Sequence, residues 1–132
     1  ADALDALARK DLDALAGLEK TVPEIAVFQN AYGDLDTVLD ALKGHETLDQ
    51  ACIDISQVRR GLSAEQISWY CDLGETHGLN YHTGLVFGIY SLKRDQLLVR
   101  GGRYDHVGES FGRARAATGF SADLKTLVRL AN

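Results

Sequence analysis

The fold this sequence predicts is α+β, and two changes along the chain predict it. Up to about Ser63 the apolar residues recur three and four positions apart, and from Ile67 they alternate instead. Glycines then gather in the alternating half, and one last amphipathic stretch ends the chain. Helices followed by a largely antiparallel sheet are the α+β order. With 132 residues, 45% hydrophobic and 25% charged, the chain has one domain's worth of material and an ordinary globular composition.

Each element follows from local pattern. Leu4, Leu7, Ala8, Leu12, Leu15 and Leu18 mark one helix over 3–18, with Asp, Lys and Arg on its other face. Alanine, abundant here, favours it further. Pro23, tolerated in a first turn, opens a second helix to Ala31, which Tyr32-Gly33 ends. Asp34 or Asp36 caps a third running to Lys43, closed by Gly44, where left-handed backbone is common. Leu48, Cys52, Ile55 and Val58 carry a fourth that ends near Gly61. Residues 1–64 therefore read as a helical segment in which nothing looks catalytic, and residues 65–132 as the sheet-bearing part of the same domain. Ile67, Trp69, Cys71 and Leu73 alternate with Ser68, Tyr70 and Asp72 as a first strand. A second covers 79–91, and Leu92 to Asp95 make a hairpin loop. A third strand, Gln96 to Arg100, ends at Gly101-Gly102. After a polar loop over 107–115, Ala117 to Ser121 is a fourth strand. Ser121 or Asp123 then caps a final helix with Leu124, Leu127, Val128 and Leu130 on its buried side.

Composition narrows the function. The net charge of −5 hides a split, since from Lys93 onward eight Lys and Arg face four Asp and Glu, against six and fifteen before it. The basic end invites an anion or an acidic partner, and Arg113 and Arg115 are candidates to meet an acidic surface, with an exposed polar loop as the better reading. Nucleic-acid binding is not expected of a chain this acidic. Cys52 and Cys71 fit no metal spacing and read as thiols of a reducing compartment. Cys71, His77 and His82 span a turn and a strand without a fourth ligand, so no zinc is expected. No Gly-rich segment has phosphate-loop spacing, and no cofactor site is apparent. Without a secretory pattern or a membrane-length apolar run, the expected compartment is the cytoplasm. The sequence has no methionine and opens inside a helical pattern, as expected of a processed product or a fragment of a longer chain.

The organising stretch is Val99-Arg100-Gly101-Gly102-Arg103-Tyr104-Asp105. Paired glycines in a sheet forfeit packing and backbone entropy, and so mark a close approach. Arg103, Tyr104 and Asp105 are placed to line the space left open. Upstream lies His77-Gly78-Leu79-Asn80-Tyr81-His82-Thr83-Gly84, and downstream Ala117-Thr118-Gly119-Phe120-Ser121-Ala122-Asp123-Leu124. In order and approximate spacing these three segments resemble the histidyl-tRNA synthetase family, with its RGLDYYTG-type histidine-binding segment, GGRYDGL segment and GFxxGLERL strand-to-helix segment. The resemblance covers roughly 67–130. It implies part of a class II synthetase-like antiparallel sheet, lacking two earlier segments of the family and a smaller domain after the last one.

Departures from the family pattern carry the functional expectation. The arginine of RGLDYY is His77, its aspartate Asn80 and its second tyrosine His82, while the Glu-Arg pair of the last segment is Lys125-Thr126 and its glycine Asp123. Adenylate formation develops charge on phosphate oxygens that forked guanidinium groups stabilise. Losing one such donor lowers rate by about 10²–10³-fold, and two are absent. Tyr81-His82-Thr83-Gly84 and Phe111-Gly112-Arg113 through Leu124 are similar instead to the regulatory subunits of ATP phosphoribosyltransferase, non-catalytic relatives of the synthetases. That resemblance implies a subunit without catalysis of its own, histidine as allosteric effector, and a short-form catalytic partner within hetero- and homo-oligomers. The histidine site it implies comprises Tyr104, Arg103, His82, Tyr81, Gly101, Gly102 and His77. Strand alternation admits only one of Tyr81 and His82 to the pocket, and His82 is the expected one. The alternatives are an active histidyl-tRNA synthetase core and a histidine-binding domain coupled to nothing.

Overall fold

The computed structural model describes residues 3–9, 11–22, 24–62, 67–75, 81–92, 95–109 and 112–131. The chain divides into two compact units, Ala1–His77 and Gly78–Asn132.

The first unit opens with helices α1 (Ala3–Arg9), α2 (Leu12–Glu19) and α3 (Glu24–Asn30). The single helix expected over 3–18 is thus two. Asp11 leaves helical geometry and caps α2, its carboxylate accepting the Ala14 N–H at 3.1 Å. Spacing does not register the break because both helices still bury one stripe: Ala6, Leu15 and Ile25 form a cluster flanked by Leu7, Ala14 and Leu18. Tyr32-Gly33, expected only to end a helix, belongs to strand β1 (Tyr32–Asp34). Its antiparallel partner is β2 (Tyr70–Asp72), with Gly33 opposite Cys71. Of the strand expected over 67–73 only this middle is ladder, although Leu35 N–H to Trp69 O and Leu73 N–H to Ala31 O extend the pairing at both ends.

Asp34 caps α4 (Leu35–Ala41), accepting from the N–H groups of Asp36 and Thr37 at 3.0 and 3.3 Å, which decides between the two expected caps. Gly44, at φ +90°, closes this region in the left-handed conformation its position predicts. A short 3₁₀ turn (Glu46–Leu48) leads into α5 (Asp49–Gly61), where the Arg59 guanidinium forks onto Asp36 with Nη2 to Oδ2 at 2.8 Å. Ala31, Val38 and Leu42 form the second buried cluster, covered by Val27, Leu48, Cys52, Cys71 and Leu73. Burying each such leucine or valine contributes about 1.5–3 kcal/mol. Burial raises both thiol pKa values. Asp49 adds to the rise at Cys52, and Asp72 and then Cys52 add to it at Cys71.

The second unit is an antiparallel sheet in the order β3 (Val86–Ser91), β4 (Gln96–Arg103), β5 (Thr118–Ala122), followed by α6 (Leu124–Ala131). β3 starts later than the strand expected from residue 79. β4 does not stop at the glycine pair but runs through it, because both glycines are paired on both sides. A register shift between Ile89 and Tyr90 sets Ile89 opposite Val99 but Tyr90 opposite Leu97, leaving Leu98 as the extra residue of a bulge. Asp123 caps α6, accepting the N–H groups of Lys125 and Thr126 at 3.0 and 3.2 Å and the Thr126 hydroxyl at 2.9 Å. These bonds, the Thr126 hydroxyl first, hold the Asp123 pKa below its usual value. The buried side of α6 differs from the expected one. Thr126 is buried with Leu127 and Leu130 half-buried beside it, while Leu124 and Val128, one turn apart on the flank, are 72% and 61% exposed.

Candidate functional site

Register fixes what faces what in the second unit. Val86, Gly102 and Gly119 lie in one row across the three strands, and Phe87, Gly101 and Phe120 in the next. Adjacent rows point to opposite faces, so the two glycines of the pair serve different faces. On the first face the His82 imidazole sits on Gly102, where a Cβ would come within 2.5 Å of its Cδ2 and 2.8 Å of its Nε2. The Tyr104 hydroxyl rests on Gly119, nearer than any Cβ would allow. The Tyr81 ring completes the group, 5.1 Å from Tyr104 at 31° and 5.4 Å from His82 at 85°. On the opposite face a Cβ at Gly101 would meet Phe87 Cζ at 2.6 Å, Phe120 Cβ at 2.8 Å and the Gly119 carbonyl at 2.5 Å. Gly101 therefore closes the sheet beneath the rings and does not touch them.

The chain is drawn into this arrangement by backbone bonds beyond the ladder. Thr83 N–H donates to Arg103 O and Arg103 N–H to Leu85 O, both at 2.9 Å, while Tyr104 N–H donates to Ala117 O at 2.8 Å. The Thr83 hydroxyl accepts the Asp105 N–H at 2.9 Å. Arg103 Nε donates to both oxygens of Asp105, at 3.0 and 2.9 Å. The Arg103 guanidinium first, with bonds from Thr83 and the Ala117 backbone, holds the Asp105 carboxyl below its usual pKa against a smaller desolvation effect.

Of the residues expected at the site, Tyr81, His82 and Tyr104 come together, with Gly102 beneath them. Arg103 does not join the rings: alternation points it away from Gly102, and its guanidinium braces Asp105. The expectation that Tyr81 and His82 diverge is corrected. The strand begins only at Val86, so residues 81–85 escape its alternation and the two rings meet edge to face. His77 lies outside the described residues. Gly119 under Tyr104 was missed, and so was Thr83, whose hydroxyl accepts the N–H of Asp105, while the Asp105 carboxylate, expected to line the open space, is taken up by Arg103.

Three rings on a glycine floor suit a flat or cationic ligand, through stacking and the negative faces of the phenols. The Thr126 hydroxyl donates to the Asp123 cap. Among the described residues no three His, Cys, Asp or Glu side chains gather as metal ligands, and no helix is long and apolar enough to cross a membrane.

Residues 1–127 match the family described as Histidyl-tRNA synthetase. The chain belongs to the histidyl-tRNA synthetase family. Together with the helices and antiparallel sheets, this membership bears out the expected α+β fold as part of a class II synthetase-like one. The chain is similar over 96% of its length to three curated relatives, each named "ATP phosphoribosyltransferase regulatory subunit". The identities are 42% to that of Pseudomonas syringae pv. syringae, 41% to that of Stutzerimonas stutzeri and 38% to that of Pseudomonas fluorescens. It spans 35% of the length of each.

Proposed function

We propose that this chain is part of a regulatory subunit of ATP phosphoribosyltransferase, working in the cytoplasm and catalysing nothing itself. In this reading it is required by a short-form catalytic subunit and binds histidine at the ring cluster, so that histidine inhibits its own synthesis. The observation that carries the reading is the 42% identity, over 96% of the chain, to a relative of that name. The ring cluster supports it chemically, since the exposed Tyr81 ring, backed by His82 and Tyr104, offers an aromatic face against which an imidazole can stack. Feedback follows only where histidine binds one state of the assembly better than another.

The test is reconstitution. Mixing the protein with a short-form catalytic subunit should restore phosphoribosyltransferase activity, and histidine should suppress it. Replacing Tyr104→Ala should weaken histidine inhibition by about tenfold, the loss of one good ring contact, while assembly survives. Unchanged inhibition would remove Tyr104 from the site, and failure to restore activity would leave a histidine-binding domain coupled to nothing. A synthetase core is the second reading, favoured by the family's own description. Pyrophosphate exchange dependent on ATP and histidine would establish it in place of the first.

A further inference from the structure

The face that carries the rings also carries one cation with no carboxylate. Arg100 stands two residues before Gly102 on β4, which sets their Cα atoms roughly 7 Å apart with side chains on the same face. Its cross-strand neighbours are Gly88 on β3 and Ser121 on β5, both small. Among the described residues Arg100 takes part in no ion pair or side-chain hydrogen bond and is exposed. Arg103, by contrast, turns the other way and is committed to Asp105. The ladder is regular from Val99 to Arg103, so Arg100 and Gly102 share a face; the Leu98 bulge before it brings Leu97 onto that face too.

A guanidinium left unpaired on the face that carries the rings is fitted to a ligand with two ends, a planar one for the rings and an anionic one for the fork. Arginine meets a carboxylate through two parallel N–H···O bonds, a geometry lysine does not reproduce. We infer that Arg100 is the specificity residue of this site, holding the carboxylate of an amino acid whose ring lies against the cluster of Tyr81, His82 and Tyr104. The inference rests on the histidine reading above and adds what that reading lacks: why the ligand is the amino acid and not its amine or alcohol.

Calorimetric titration of the protein, as its gene encodes it, with L-histidine, histidinol and histamine tests this, with circular dichroism to check that each variant folds. Wild type should prefer histidine to both analogues. Arg100→Gln should weaken histidine by at least about tenfold and leave histidinol and histamine within about twofold, so that the preference collapses; Arg100→Lys should recover only part of it. Equal weakening of all three ligands, or undiminished histidine binding, overturns the role of Arg100 while the histidine site stands. Wild-type protein that binds none of the three overturns both.

Discussion

At Gly119 the sheet gives up a side chain so that the Tyr104 hydroxyl can come down onto it, and at Gly102 it does the same for His82. Adding a methyl at Gly119 should therefore lift the Tyr104 ring off its seat, at a cost of about 1–3 kcal/mol, the usual range for overpacking. Most of that conflict is with the hydroxyl oxygen, the ring carbons lying at 3.2 Å and beyond. Gly119→Ala combined with Tyr104→Phe should then cost less than the two single changes added, by about 0.5 kcal/mol or more. Urea denaturation of the four proteins gives the coupling, and simple additivity would show that the hydroxyl does not rest there. This much of the site was only half legible. The sequence announces close approach through Gly101-Gly102, but a glycine does not say which face it serves. Only the register, with Gly102 opposite Gly119 and Gly101 opposite Phe120, separates the floor under the rings from the contact behind them.

At the scale of elements, caps were more legible than pairings. Asp34 and Asp36 are equivalent to a pattern search, yet only Asp34 takes extended backbone and turns its carboxylate onto two N–H groups of α4. Asp34→Ala should cost about 1 kcal/mol, and Asp34→Asn much less, since an amide oxygen also caps. Asp36→Ala should cost under about 1 kcal/mol, the worth of its exposed pairing with Arg59. Denaturation followed by fluorescence of Trp69, the only tryptophan, measures all three; a larger loss at Asp36 would reverse the assignment. The pairing of β1 with β2 was hidden for a physical reason. Three residues such as Tyr32–Asp34 are too few to display alternation, and their partner lies nearly forty positions away. The break at Asp11 was hidden because two short helices sharing one buried stripe keep the spacing of one.

At the scale of the whole molecule, burial is uneven. The buried apolar residues among those described, Ala6, Leu15, Ile25, Ala31, Leu35, Val38 and Leu42, all belong to the first unit. Among the described residues of the second unit only Gly102 and Thr126 are buried, and its sheet and helix leave Phe120, Leu124 and Val128 largely exposed. Hydrophobic stabilisation scales with the apolar area taken from water, so the two units should respond differently to the same truncation. Leu42→Ala removes a side chain that is 2% exposed and should cost about 2–5 kcal/mol. Leu124→Ala, at 72% exposure, should stay within about 0.5 kcal/mol. The two units need not unfold together, so a single transition should not be assumed. Trp69 fluorescence reports the first unit, where its carbonyl accepts the Leu35 N–H, and amide exchange along β4 reports the second. Leu42→Ala should move the fluorescence transition strongly, whereas Leu124→Ala should leave both signals nearly in place. A loss at Leu124 as large as that at Leu42 would mean that this helix flank is covered in solution and that the second unit draws its stability from that cover.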